Sequence, residues 1–352
     1  MGIDLEVIRV VRVIRGLGAV AVAALLVLGG SAAAEQRFEF SAPHMGTLVR
    51  LVLYAADASA AEAAAARAFG RIGALDETLS DYRETSELNQ VSRRAGAGAV
   101  EVSEDLFRVL EAGQRVARAS GGAFDVTAGP LSLVWREARR RKTLPDPARL
   151  AAARALVGSA RLALDHARRT VGLGREGMQL DAGGIAKGFA ADEAAAVLRA
   201  CGIRSALVAA GGDIVVTDAP PGTAGWRVAV ASIDGPNAAP SGYLTLRDAA
   251  VSTSGDAEQF MVVDGVRYSH IFDPRTGRAL RGRSSVTVVA PDGMTSDALA
   301  TAASVLGGTR GIRLVDATPR AAALIVEARE GDGMRRFESR RWRAVGGFAA
   351  SR

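Results

Sequence analysis

LDAGGIAKGFAAD, Leu180 to Asp192, reads as the end of an apolar strand, an acidic residue, a glycine turn and then a helix. Asp181 closes the strand, Gly183 and Gly184 make the turn, and Lys187 follows about one helical turn later. Glycine lets the backbone approach a ligand closely or take positive φ. A helix N-terminus behind it offers N–H groups and partial positive charge suited to phosphate. Its complement lies far downstream in TSDALATAAS, Thr295 to Ser304. Thr295, Ser296 and Asp297 are cap candidates for a helix there. Asp297 and Thr301, four apart, share one helical face. A carboxylate and a hydroxyl on one face make half of a hard-cation site. Each stretch also has a plainer reading. Glycine turns open many helices that bind nothing, and Asp297 is a ready N-cap. Together they predict that the two stretches meet and hold a Mg²⁺–diphosphate.

The 352 residues suffice for one large domain or two, with ample apolar content for a core. The net charge of +6 comes mostly from scattered arginine. The one dense run, Arg136 to Lys142, reads as a solvated helix end. No aromatic residues interleave with it, which points away from nucleic acid. Cys201 is the single cysteine, so an intramolecular disulfide and a thiolate metal cluster are excluded. Cys201 is expected as a small buried hydrophobe. His44, His166 and His270 show no H-E-x-x-H spacing, so a metal here would be held by oxygen, which favours Mg²⁺ over zinc.

Near the N-terminus, Arg9, Arg12 and Arg15 precede the apolar run Gly16 to Gly30. Its length of roughly fifteen residues suits a signal peptide and is short for a membrane span. Ala32 and Ala34 supply an A-x-A cleavage site, with no cysteine beside it for a lipid anchor. The expectation is a cleaved signal peptide over residues 1–34 and one working domain over 35–352 in the periplasm, without stable membrane insertion. An uncleaved anchor is the alternative.

Along the chain, Arg37 to Ala55 alternates as two strands, broken at Ala42-Pro43-His44. Ala58 to Leu79 is a helix, and Ser80 to Ser92 is polar with a turn-like start. Ser103 caps a helix to Ser120, and Asp146 with Pro147 opens a short one. Arg161 to Leu173 with Met178 to Leu180 suggests a hairpin. It contains GLGREG, Gly172 to Gly177, which opens no helix and so is no dinucleotide fingerprint. Gly184 to Cys201 is a helix and Ser205 to Val216 a strand interrupted by glycine. Trp226 to Ile233, Gly242 to Arg247, Ala250 to Gly255, Gln259 to Val263, Val266 to Ile271 and Ser285 to Ala290 read as strands. Thr295 to Leu306 is a helix. Arg320 to Glu327 and Arg335 to Trp342 close as a hairpin. Strands and helices mix without strict βαβ order, which argues α+β with largely antiparallel sheets flanked by helices.

Eight short pieces in order carry a resemblance. They are MGT at Met45, SDYRETSELNQ at Ser80, GGAFDVTAGP at Gly121, LDAGGIAKG, AAGGDI at Ala209, VSTSGD at Val251, YSHIFDPRTG at Tyr268 and TSDALATA. The ordered set resembles the ApbE family of flavin transferases, over nearly the whole mature chain. The family commonly has a second Ile where Phe272 stands and an aromatic where Ala257 stands. The resemblance implies an ApbE-like, T-fold-related architecture with two lobes around a central FAD cleft. It implies FAD as substrate, Mg²⁺ as cofactor, and transfer of the FMN half to a protein threonine with release of AMP. Position by position, it implies flavin and diphosphate contacts from Met45, Tyr82, Ala123, Phe124, Asp125, Asp181, Lys187 and Ile271. It implies a metal held by the Gly184 carbonyl, Asp297 and Thr301. The implied acceptors are flavoprotein subunits of membrane redox complexes, with the threonine in a D-G-x-[ST]-[GSA]-A-T-like motif.

The residues themselves suit that chemistry. Diphosphate cleavage needs charge neutralisation, which Lys187 at a helix start would supply beside a cation held by Asp297. Tyr82 and Phe124 offer aromatic faces, although Phe124 alone reads as core. A threonine hydroxyl attacking phosphorus needs a proton acceptor, and His270, close to Asp273, is the candidate general base. Two other readings stay open: hydrolysis of FAD to FMN and AMP, and a periplasmic flavin-binding module without catalysis.

Overall fold

The computed structural model describes residues 35–235, 237–255, 259–329, 333–345 and the backbone of 349–350. The signal-peptide expectation for 1–34 and the positions Asp256 and Ala257 lie outside them.

Period-two apolar patterning builds the central sheet. Strands β1 (Gln36–His44) and β2 (Thr47–Ala55) form a hairpin. On β2, Leu51, Leu53 and Ala55 enter the main core while Val52 enters a second core on the opposite face. The same division separates Val288 from Val289 and Ala323 from Leu324 further along the sheet. Pro43, expected to break the first strand, sits inside β1 opposite Leu48. It is tolerated because β1 is an edge strand. The chain reverses instead at Met45-Gly46, both at positive φ (49° and 70°).

Numbered in chain order, the other strands are β3 (Val100–Glu101), β4 (Leu162–Asp165), β5 (Thr170–Leu173), β6 (Ala206–Ala210), β7 (Asp213–Val216), β8 (Trp226–Val230), β9 (Gly242–Leu246), β10 (Ala249–Gly255), β11 (Phe260–Val263), β12 (Val266–Phe272), β13 (Ala279–Arg281), β14 (Ser284–Ala290), β15 (Ala322–Ala328), β16 (Met334–Glu338) and β17 (Ala349–Ala350). Eight of them form one sheet in the order β1-β2-β6-β7-β10-β14-β15-β16, antiparallel throughout. Three small sheets, β3-β5-β4, β11-β12-β13 and β17-β9-β8, complete the strands. β11, the strand read over Gln259 to Val263, pairs with β12 in the second of these and not with the main sheet.

The helices are α1 (Ala58–Leu79), α2 (Glu87–Arg93), α3 (Glu104–Ala119), α4 (Gly129–Arg141), α5 (Pro147–Ala155), α6 (Ala186–Ala200), α7 (Gly293–Leu306) and α8 (Gly308–Ala317). α1, α3, α6, α7 and α8 share the main core with one face of the sheet. β8, β9 and Trp342 cover the other. The caps read from sequence hold for α3, where Ser103 accepts from the Leu106 N–H, and for α5, where Asp146 accepts from Arg149. α7 differs: Asp292 caps it, and Asp297 lies inside the helix, 3% exposed. The full length of α4 and all of α8 were not anticipated. Met178 to Leu180 adds only an isolated bridge, Gln179 with Ala128, rather than a strand. Cys201, expected as buried, is half-buried at the end of α6. The α+β reading stands. Among the described residues no helix is long and apolar enough to cross a membrane.

Candidate active site at the crossing of α6 and α7

Two glycines let α6 and α7 touch backbone to backbone. A methyl group at Gly188 would lie 2.0 Å from the Gly293 carbonyl oxygen, and one at Gly293 would lie 2.4 Å from that of Gly188. This crossing brings the two distant sequence stretches together. A methyl group at Gly184 would meet the Thr301 hydroxyl at 2.9 Å and the Phe124 ring at 3.1 Å. Neither Gly183 nor Gly184 has positive φ, so close approach, not backbone conformation, calls for glycine at 184.

The charges follow from the same crossing. Lys187 Nζ lies 2.7 Å from Asp213 Oδ2 and 3.7 Å from Asp297 Oδ2. Asp297 also accepts the Gly188 N–H at 3.1 Å, so a carboxylate of α7 caps the start of α6. The N–H groups of Ile185 and Ala186 bond the Ala182 carbonyl. The helix start is therefore less open to an anion than its sequence suggests. Burial, then the nearby Asp213 charge, push the Asp297 carboxyl upward, against Lys187 and the Gly188 N–H. Burial disfavours the Lys187 charge, but Asp213 and Asp297 outweigh it and hold the ammonium protonated. Two buried carboxylates thus share one ammonium, and Asp297, the more distant, is the surplus acid.

That surplus tests whether a cation fits. Among the described residues no cluster of three or more His, Cys, Asp or Glu side chains could hold a metal. The oxygens that would be offered are mixed: the Asp297 carboxyl, the Thr301 hydroxyl and the main chain of Gly184, which Thr301 approaches. Hard oxygen donors that include a second carboxyl beside an already paired ammonium suit Mg²⁺ and not a soft metal.

The other sequence-predicted residues fall around this centre. Asp181 holds the turn: it accepts the Gly183 N–H at 2.7 Å and the Ser132 hydroxyl, and lies 4.0 Å from Arg136. Phe124 is 5% exposed, its ring in the main core with one edge against Gly184. Ala123 and Ile271 pack with Val305 in a small apolar cluster, one turn beyond Thr301 on α7. Asp125 spends its oxygens on Thr127 and the Ser159 N–H, so its side chain builds the loop. Tyr82 is 75% exposed, with the Arg136 guanidinium 3.9 Å from its ring centre. Met45 sits at the β1–β2 turn. Two residues on, Thr47 comes within 3.4 Å of where Gly211 would carry a methyl, in the turn just before Asp213.

His270, half-buried on β12, has Nδ1 3.0 Å from the Gln259 carbonyl. A carbonyl accepts only, so Nδ1 carries the proton and Nε2 is the basic nitrogen. Asp213 was missed as a site residue. The sequence signal was its place after two glycines in AAGGDI, which lets a tight β6–β7 hairpin aim it at Lys187.

This is an α+β architecture in which a helix crossing assembles a turn, an ammonium and a carboxylate–hydroxyl face. Comparison with known proteins places it more narrowly. The ApbE family model matches residues 45–325. FAD:protein FMN transferase of Treponema pallidum is 35% identical over 297 residues, covering 80% of this chain and 82% of the relative. The same-named protein of Vibrio cholerae is 31% identical over 316 residues, covering 89% and 94%. The apo crystal structure of Pseudomonas stutzeri flavinyl transferase ApbE matches with a TM-score of 0.78 at 29% identity, covering 89% of this chain and 98% of that one. The chain belongs to the ApbE family.

Proposed function

We propose that this chain transfers the FMN half of FAD to a threonine hydroxyl of a partner flavoprotein, with Mg²⁺ held by Asp297, Thr301 and the Gly184 carbonyl. The observation that carries the reading is the surplus buried carboxylate of the Asp213–Lys187–Asp297 cluster, set beside the Gly184–Thr301 approach. The names of the relatives supply the reaction class. When bound, Mg²⁺ would offset negative charge on the diphosphate oxygens.

The chain's own residues do the rest. Lys187 is kept protonated and supplies positive charge at the same place. Asp181 fixes the Gly183–Gly184 turn. In the transfer, the threonine oxygen bonds to the flavin-side phosphorus. The bond from that phosphorus to the bridging oxygen breaks, and AMP leaves with that oxygen. Nε2 of His270 takes the threonine proton. β12, which carries His270, also carries Ile271, and Ile271 packs on Val305 of α7. The partners are flavoprotein subunits of membrane redox complexes bearing the threonine motif. The charged, apolar and A-x-A order of residues 1–34 supports export to the periplasm.

The test mixes purified protein with FAD, Mg²⁺ and a threonine-motif acceptor. The expected result is an acceptor heavier by FMN together with released AMP. AMP without labelling would make the chain a hydrolase, and neither product would leave a binding protein.

A further inference from the structure

Tyr82 presents a largely bare aromatic ring beside Arg136, and Arg136 is anchored on both sides. It pairs with Asp81 and faces Asp181 at 4.0 Å. Burial raises the Asp81 carboxyl, and Asp181 adds to this, against the pull of Arg136. The guanidinium therefore cannot leave without stranding a buried acid. Asp181 in turn holds the Gly183 N–H, one residue before the Gly184 carbonyl. A continuous line of contacts runs from the exposed ring to the turn of the cation site: Tyr82, Arg136, Asp181, Gly183. One turn after Arg136 on α4 stands Arg139, which has no acidic partner among the described residues. Burial, and repulsion from Arg136, weaken its hold on its proton, while Tyr82 opposes this. An aromatic ring backed by one fixed guanidinium and edged by a second suits a planar heteroaromatic ring carrying hydrogen-bond acceptors.

We infer that Arg136 is a positioning residue for the dinucleotide: it holds Tyr82 as a stacking platform for one of the substrate's planar rings and ties that platform to the Gly183–Gly184 turn. This rests on the proposed function, because the ring it serves is one of FAD's. Arginine is required for its shape as well as its charge. Lysine would keep Asp81 compensated but could not stack flat.

The experiment measures FAD binding by flavin fluorescence, without Mg²⁺ and without acceptor, in a double-mutant cycle of Arg136→Lys and Tyr82→Leu. Arg136→Lys is expected to weaken FAD binding about three- to tenfold in the wild-type background and less than twofold in the Tyr82→Leu background. The pair Asp81→Asn with Arg136→Gln, which removes the buried acid together with its cation, repeats the cycle should the lysine variant be unstable. A wild-type chain that binds FAD, with equal losses in both backgrounds or no loss in either, overturns the positioning role alone. A wild-type chain that does not bind FAD overturns the functional reading and this inference with it.

Discussion

Asp213 lies a full ångström closer to the Lys187 ammonium than Asp297 does, at 2.7 Å against 3.7 Å. Asp213 is thus the closer partner of Lys187, and Asp297 is the carboxyl left for the proposed cation. The two acids should respond differently to mutation. Lys187→Met strands two buried carboxylates and is expected to cost about 3 kcal/mol or more of stability. Asp213→Asn leaves one carboxylate to one ammonium and is expected to cost much less, while weakening Mg²⁺ binding more than tenfold. Urea unfolding without metal, and Mg²⁺ titration, measure the two effects. Equal destabilisation by both variants would refute the division of roles.

The glycines of the crossing should rank by what a methyl group meets. Gly188→Ala drives Cβ to 2.0 Å from a main-chain oxygen, which no rotamer change relieves. Loss of the folded state, or a penalty above about 4 kcal/mol, is expected. Gly184→Ala meets the Thr301 side chain at 2.9 Å, which can give. The fold should survive and the cation affinity should not. Thermal unfolding alongside Mg²⁺ titration separates the two cases.

How much of this was legible in the sequence depended on how local each signal was. Strand alternation, the Ser103 and Asp146 caps and the pairing of Gly184 with Thr301 were readable, because each rests on a local period or on chemistry that two short motifs share. The α7 cap was not. Asp292 and Asp297 are both acids near a helix start, and only packing of α6 against α7 decides which is buried. α8 was hidden by its glycines, which lower helix propensity. They are there because Gly308 passes against the Phe337 ring and Gly311 against the Ala303 carbonyl. Asp213 looked like any residue after a glycine pair until the β6–β7 hairpin aimed it at a helix. Arg136 looked like part of a solvated basic run. Its partners Asp81 and Asp181 are brought to it only by the tertiary fold.

A pH dependence follows from Asp192, whose oxygens accept the Gly293 and Met294 N–H groups at 2.6 and 2.9 Å. Burial pushes its carboxyl up to about 7, against those two bonds. A folded-state pKa above the unfolded one means that the native protein binds more protons between about pH 4 and 7. Stability should therefore fall as pH rises through that window, by at most about 1.4 kcal/mol per pH unit from this group. Urea midpoints across the range should show the slope, and Asp192→Asn should make it shallower, with Asp81 and Asp297 supplying the remainder. An unchanged slope in the variant would assign the effect elsewhere.

His270→Ala is expected to lower transfer at least about a hundredfold while FAD affinity changes less than twofold. Single-turnover labelling and flavin fluorescence report the two quantities. Turnover matching the parent would remove His270 from the reaction.

Met45 occupies the first position of a two-residue turn at φ 49°, beside Gly46 at 70°. Asn-Gly is the pair that such a turn prefers. Met45→Asn is expected to stabilise the protein by about 1 kcal/mol and to weaken FAD binding, if the methionine is kept there for its contact with substrate. A variant gaining stability without losing affinity would make Met45 incidental.

The contact of Gly188 with Gly293 has a consequence for how this protein can diverge. Where helices meet through main chain alone, neither position can drift by itself. A larger residue at one cannot be offset by a smaller one at the other, since both are already at the minimum. The spacing between the Gly184 turn and the Thr301 face is frozen by that lock. New acceptor preferences must then arise from the peripheral strands and loops, with the chemistry inherited unchanged beneath them.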